Sequence, residues 1–384
     1  MRGHIQQRGK NSWRISVYLG RDANGSKRYL RRTVQGTKRE AEREVSRVVV
    51  EVDEGRHVAT EALTVHQLLD RWLEVKALAV EQSTLASYEW IARTYVRPAL
   101  GDRNVGSLRP IDLDLLYADL AARGLSNRTV RICHTVLRQS LEQARRWGFI
   151  ARSPAVDASP PPQRRAEVTP PTPAEVLTLL DGAFGEDPAF GSYLWLLAAT
   201  GCRRGEACAL RWSDLDLERG EVAIRRSISL VAGELREKDT KTHQSRRMAI
   251  DKGTVGVLRT HRLHQRELAL ALGVGVADDA FVFGDAEGGP WRPDVCTNRF
   301  GRLRARLELD RVRLHDLRHF VASVLVDGGV PIGTVSTRLG HSQLSTTLDL
   351  YTHAIPATDQ RAAAYLGSLL AGEQRPIVAD RWPR

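Results

Sequence analysis

The sequence predicts a mainly α protein with small β-sheets, an α+β chain built in three parts. Three observations carry that expectation: repeated helix-start signals, two short stretches of period-two alternation, and one proline-rich break. Helix starts are marked by Thr37-Lys38-Arg39-Glu40 and Thr172-Pro173-Ala174-Glu175, both capping boxes, the second with proline at the first helical position. The alternation lies in residues 13–34 and 221–250, and the break is Ser159-Pro160-Pro161-Pro162. At 384 residues the chain exceeds what one hydrophobic core usually organises.

Taken in order, Trp13-Arg14-Ile15-Ser16-Val17-Tyr18-Leu19 reads as a half-buried strand, Asn24-Gly25 as a turn, and residues 27–34 as the return strand. The Thr37 helix follows and ends near Gly55. Arg14, Arg28 and Arg32 are expected on a free face of this sheet, which a DNA major groove could admit. Residues 63–153 read as four helices of a compact bundle. Thr64 and Ser83 cap the first two, and the second ends at Arg97-Pro98. Pro110 opens the third, and Ser126 caps the fourth, which runs toward Trp147-Gly148. Arg93, Arg128 and Arg131 on its polar faces are candidate phosphate contacts. Beyond the break the chain is again helical, apart from a β interruption with Val222 and Ile224 alternating and a turn at Gly233. Lys241 is expected at the tip of a hairpin there.

Composition narrows the class. A hydrophobic content of 42% with 27% charged residues belongs to a globular chain. The longest apolar run, around residues 193–199, falls short of the roughly 20 residues a membrane helix needs, so no membrane partner is expected. Residues 1–7 carry no apolar core of a secretory signal, and four cysteines without CxxC spacing form no disulfide framework, which fits a cytoplasmic protein. The net charge is +11, and residues 1–60 hold 14 Lys and Arg against 7 Asp and Glu. Such a basic segment suggests a polyanionic partner, most simply nucleic acid.

The C-terminal half offers side chains suited to a phosphodiester. Thr200-Gly201-Cys202-Arg203-Arg204-Gly205-Glu206 sets an arginine at a glycine-bounded helix start. His315-Asp316-Leu317-Arg318 places histidine and arginine on one helix face. Leu339-Gly340-His341-Ser342 follows, with Tyr351 ten residues past His341. Thr240-Lys241-Thr242-His243-Gln244-Ser245-Arg246-Arg247 adds a lysine.

In that order and spacing, over residues 63–357, these segments resemble the tyrosine recombinases, also called phage integrases. The resemblance implies a DNA strand-exchange enzyme. Charge builds on two non-bridging phosphate oxygens in the transition state, and two arginines can hold them in planar forks; Arg203 and Arg318 match the family's clamp. A tyrosine hydroxyl, with an ordinary pKa of about 10, needs help losing its proton, and His315 matches the position credited with it. Lys241 matches the general acid for the departing 5′-oxygen, His341 the residue bonding a non-bridging oxygen, and Tyr351 the nucleophile. Glu206 and Asp316 read as structural partners holding the arginines. No cofactor is needed, because the bond energy stays in the phosphotyrosine. His315 and His319 have zinc-compatible spacing, but no further ligand is arranged to complete a site, so no metal is expected.

The implied organisation is an arm-type DNA-binding domain of three strands and a helix (residues 1–58) and a helical core-binding, SAM-like domain (63–157). A linker (158–168), a catalytic domain (169–371) and a disordered tail (372–384) complete it. A last helix capped by Thr358-Asp359 either docks on a neighbouring subunit or packs on its own domain. Expected partners are double-stranded DNA at attachment sites and three further copies in a homotetramer. An excision factor and a host DNA-bending protein are candidate accessories, all within a bacterial host cell. The arm favours an integrase of a phage or integrative element. A type IB topoisomerase-like enzyme and a regulator that has lost catalysis are the rival readings.

Overall fold

The structure, a computed structural model, describes residues 3–21, 27–53, 63–163, 169–239, 245–285 and 287–340. It is mostly helical with small antiparallel sheets, and it divides into two compact units, Met1–Arg165 and Ala166–Arg384.

The first unit opens with strands β1 (Gly3–Gly9), β2 (Ser12–Arg21) and β3 (Lys27–Gln35), paired antiparallel in that order, and helix α1 (Lys38–Asp53). The Thr37 amide donates to Glu40 Oε2 at 2.7 Å, closing the expected capping box. Ile15 and Val17 of β2 pack on Ala41, Val45 and Val48 of α1. The ladder register decides which arginines face outward, since directly opposed residues share a face. Arg32 lies opposite buried Ile15, on the helix-covered face, and its guanidinium reaches Glu44 at 3.1 Å. Arg14 lies opposite Thr33 on the other face, beside Arg31 (opposite Ser16) and the edge-to-face Tyr18–Tyr29 pair at 5.5 Å. The expectation of one face carrying Arg14, Arg28 and Arg32 therefore fails for Arg32. The Arg28 side chain and the Asn24-Gly25 turn lie outside the described residues.

The bundle comprises α2 (Val65–Ala77), α3 (Gln82–Ile91), α4 (Arg97–Leu100), α5 (Pro110–Ala122) and α6 (Asn127–Arg146), with a π-helical turn at Ala92–Val96 joining α3 to α4. Thr64 and Ser126 cap α2 and α6 as expected. Ser83 does not cap α3: Glu81 holds that position and makes no side-chain cap bond. Nor does the helix stop at Arg97-Pro98, because Pro98 falls in the first turn of α4, where its missing N–H interrupts little. Trp72, Ile91, Leu113, Leu120 and Leu137 fill the core. Arg93 and Arg128 are exposed. Arg131 instead donates to the Pro161 carbonyl at 2.9 Å, while the Ser159 amide donates to Asp114 at 2.7 Å and Asn127 to the Pro162 carbonyl at 3.2 Å. The proline run thus begins as a strap on the bundle rather than a free spacer.

The second unit is arranged around α8 (Pro188–Thr200), which is apolar on nearly every side and packs against α7 (Pro173–Glu186). After α8 come the short α9 (Arg204–Cys208), strands β4 (Leu215–Asp216), β5 (Glu221–Ile224), β6 (Arg226–Val231), β7 (Glu234–Asp239) and β8 (Arg246–Ala249), and helices α10 (Lys252–Ala271), α11 (Pro293–Arg306), α12 (Asp316–Asp327) and α13 (Ile332–Leu339). Phe190, Tyr193, Phe283 and Phe300 form the aromatic centre of the core. Helices α10 and α12 also lean on α8.

β6 pairs with β7 around the turn at Gly233, whereas β8 pairs with β5. Arg226 lies opposite Asp239 and Ile224 opposite Arg246. Lys241, expected at the tip of a hairpin in this segment, lies with residues 240–244 outside the described residues. Among the described residues no helix is long and apolar enough to cross a membrane. The last helix expected from Thr358 and the tail after residue 371 also lie outside them.

Candidate active site

Three segments of the second unit meet at one carboxylate. α8 ends at Gly201, whose φ of +67° turns the chain sharply; a Cβ there would lie 2.5 Å from Leu339 Cδ2. The turn delivers Arg203 to the N-cap of α9, three residues before Glu206. Glu206, only 2% exposed, accepts four hydrogen bonds: the Arg203 amide at 2.7 Å, Arg203 Nη1 at 2.9 Å, Arg246 Nη1 at 3.1 Å and Arg246 Nη2 at 2.6 Å. Every lone-pair direction of the carboxylate is occupied. Burial pushes the Glu206 carboxyl up, but the Arg246 and Arg203 bonds outweigh it and hold the group below its ordinary value. It has no acceptor site left for proton transfer.

Arg318 enters from the first turn of α12. It is 4% exposed, and its Nη1 donates to the Gly201 carbonyl at 2.8 Å. Its buried Nη2 has no hydrogen-bond partner among the described residues. Burial, with Arg203 and Arg246 near, pushes this guanidinium down to about 9. A buried cation with an unsatisfied donor, crowded by two further cations, is energetically unfavourable until an anion arrives. Arg203 keeps an exposed side-chain surface of 44% and reaches the Gly340 carbonyl through Nη2 at 3.1 Å.

His315 stands one residue before α12, its ring 5.1 Å from that of His319 and perpendicular to it. Burial, then His319, Arg318 and Arg203, push His315 down to about 4. The residue is nonetheless exposed, so water moderates the drop; the direction is downward, which leaves the imidazole neutral near pH 7 and able to accept a proton. Asp316 does not hold Arg318. It binds Arg313 instead, through Nε at 3.1 Å and Nη2 at 3.0 Å.

The structure thus brings Arg203, His315 and Arg318 together, while Lys241, His341 and Tyr351 lie outside the described residues. It also adds two arginines that the motifs did not single out. Arg246 contributes two of the bonds at Glu206, and Arg338 ties the Ala249 and Ala199 carbonyls, each at 3.1 Å. A signal for Arg246 existed: it shares strand parity with buried Met248, whereas Arg247 is exposed beside Glu221. Among the described residues no group of three or more His, Cys, Asp or Glu could hold a metal. Arg14, Arg28, Arg32, Arg93, Arg128 and Arg131 all belong to the first unit.

Arg203, Arg246 and Arg318 beside His315 form a cationic donor set of the kind that suits an anionic phosphate ester. Residues 183–357 match the Phage integrase family, and residues 64–120 match the Phage integrase, N-terminal SAM-like domain. The chain belongs to the phage integrase family, the tyrosine recombinases, and is a site-specific recombinase that cleaves and rejoins DNA by transesterification. It is 28% identical to a tyrosine recombinase XerC-like protein of Caldanaerobacter subterraneus subsp. tengcongensis, across 94% of this chain and 97% of that one. It is 24% identical to the ICEBs1 integrase of Bacillus subtilis, across 93% and 97%. A solved structure of the Tn1549 transposon integrase in complex with transposon right end DNA superposes with a TM-score of 0.68 at 21% identity, covering 80% of this chain and 100% of that one.

Two outcomes follow from the site's electrostatics. Arg318→Met is expected to raise the free protein's stability by about 1–4 kcal/mol in urea unfolding, since an apolar replacement removes an uncompensated buried charge. Sulfate should raise the melting temperature of the wild type and not of the variant. Lower stability in Arg318→Met would show the charge to be already compensated. For His315, the unfolded chain titrates near 6.5 and the folded chain near 4, so the unfolded state binds the proton first. Stability is therefore lost as pH falls through this window, and His315→Gln should flatten the slope of melting temperature between pH 6.5 and 4.

Proposed function

We propose that the chain integrates or excises a mobile element by attack of Tyr351 on a scissile DNA phosphate clamped by Arg203 and Arg318. The observation that carries this reading is the buried, unsatisfied Nη2 of Arg318 beside Arg203, a donor set that calls for a doubly coordinating anion. Removing one preorganised donor from such a site typically costs roughly 10²–10³ in rate. In the proposed step the Tyr351 oxygen forms a bond to phosphorus while the bond from phosphorus to the 5′-oxygen breaks. The tyrosine proton passes to neutral His315, and Lys241 protonates the leaving 5′-oxygen. The product is a 3′-phosphotyrosine with a free 5′-hydroxyl, and reversal onto another strand rejoins the DNA without ATP or metal. His341 donates to a non-bridging oxygen.

The proposed assembly is a tetramer on two duplexes, exchanging strands through a Holliday junction. A lambda integrase tetramer has been solved bound to a Holliday junction, and that chain superposes on this one with a TM-score of 0.58. An excision factor and a host bending protein remain candidate accessories. The helical bundle is assigned to core-site DNA, with Arg93 and Arg128 as exposed contacts, and the N-terminal sheet to arm-site DNA through its open face.

A suicide duplex, nicked so that the 5′-hydroxyl fragment diffuses away, tests the chemistry. Wild type without added metal should give an SDS-resistant protein–DNA adduct, and Tyr351→Phe none. An adduct persisting in Tyr351→Phe would identify another nucleophile, and tight binding without any adduct would favour a catalytically inactive regulator. For the arm, Arg14→Ala or Arg31→Ala should weaken binding to arm-site duplex and reduce the salt slope by about one each. Arg32→Ala, engaged with Glu44, should leave that slope unchanged; an equal effect of all three would remove the face assignment.

A further inference from the structure

We infer that Arg246 is a positioning residue for strand cleavage, acting on the phosphate clamp through Glu206 without touching the phosphate. This rests on the assignment of Arg203 to that clamp. The three arginines of the site differ in which donors remain open. Arg318 has a buried Nη2 without a partner among the described residues, and Arg203 is exposed over 44% of its side chain. Arg246 has neither feature. Its Nε donates to the Arg338 carbonyl at 3.0 Å, its Nη1 and Nη2 to the two Glu206 oxygens at 3.1 and 2.6 Å, and its side chain is 9% exposed. Every nitrogen of the guanidinium is tied to protein by at least one bond and the side chain is nearly buried, so the group is held to Glu206 and the Arg338 carbonyl rather than offered to a phosphate.

Its position links the parts of the site. Glu206 is shared between Arg246 and Arg203, so the two guanidinium groups compete for the same carboxylate oxygens. With Arg246 in place, the Arg203 side chain meets Glu206 through Nη1 alone, and its Nη2 is left toward Gly340. Without Arg246, Arg203 is free to close both ends of its fork on Glu206, the bidentate arrangement such pairs favour. That would draw it away from the substrate. Arg246 also fills the space behind Gly340: a Cβ on that glycine, which has φ +67°, would lie 2.9 Å from Arg246 Nη1. Gly340 immediately precedes His341, and Arg246 follows Lys241 by five residues. One side chain therefore braces the residue holding Arg203 and the backbone leading to His341.

Arg246→Lys keeps the charge but offers a point donor that cannot span Glu206 and the Arg338 carbonyl together. On the nicked suicide duplex its single-turnover cleavage should fall about 10²-fold, the scale of a misplacement near 1 Å, while its affinity for the same duplex stays within about twofold. A second substrate carries a methylphosphonate at the scissile position, which removes one anionic oxygen and with it much of the demand on the clamp. On that substrate the ratio of wild-type to Arg246→Lys rates should shrink to within about tenfold. Because Arg246→Met could fail to fold, Arg246→Met combined with Glu206→Gln serves as the second variant, and it should cleave faster than Arg246→Met alone. Wild-type-like cleavage by Arg246→Lys, equal loss on both substrates, or parallel loss of binding and cleavage would each overturn the inference. Absence of an adduct in the wild type would instead overturn the clamp assignment itself.

Discussion

The catalytic unit depends on one buried carboxylate. Glu206 is the only acidic side chain bonded to Arg203 or Arg246 among the described residues, and it accepts four hydrogen bonds from them. Cations gathered near a phosphate site repel one another in the absence of substrate, and the repulsion is strongest where water is excluded. A single saturated carboxylate lowers that repulsion without cancelling it. The remaining positive charge falls on Arg318, which has no carboxylate of its own: Asp316, two residues earlier, is engaged by Arg313. The site is therefore under-neutralised, which suits a ligand that brings its own negative charge.

Backbone geometry makes the arrangement possible. Gly201 and Gly340 both adopt φ of +67°, and each turns a helix end into the site. At each, a side chain would collide with a group the site needs in place, Leu339 in one case and Arg246 in the other. The Gly201 carbonyl, released by the turn at the end of α8, is the acceptor for Arg318. A helix C-terminus carries unsatisfied carbonyls with partial negative charge, so the end of α8 supplies the acceptor that a second carboxylate would otherwise have to provide.

Much of this was legible in the sequence. Capping boxes at Thr37, Thr64 and Thr172 announce their helices because the cap is a local exchange of hydrogen bonds among four residues. The order of arginine, lysine, histidine and tyrosine segments indicates the chemistry. Partner choice was less legible, because it depends on contacts between distant segments. Residue spacing placed Asp316 near Arg318, but α12 turns the carboxylate toward Arg313. Alternation identified the strands at 13–34, yet the face of Arg32 follows from the Ile15–Arg32 register, which no single strand encodes. The turn at Gly233 and the break between β7 and β8 look alike in the sequence as interruptions of the alternation. Only the pairing of β5 with β8 separates them.

The arginines of the second unit show why a basic motif does not by itself define a ligand site. Arg203, Arg246, Arg318 and Arg338 all approach the same region, and composition treats them alike. What separates them is which end of the guanidinium the folded chain leaves open. Arg338 uses Nη1 and Nη2 on the Ala249 and Ala199 carbonyls, with only its Nε unpaired among the described residues, and Arg246 uses all three nitrogens on Glu206 and the Arg338 carbonyl. These two hold segments together. Arg203 is half committed and Arg318 retains a buried open donor. A buried donor is costly to leave unpaired, whereas an engaged one adds to the fold. The open donor of Arg318 thus stands as a stability cost that a phosphate oxygen can offset, and the braced pair Glu206 and Arg246 is what keeps Arg203 from offsetting its own charge within the protein.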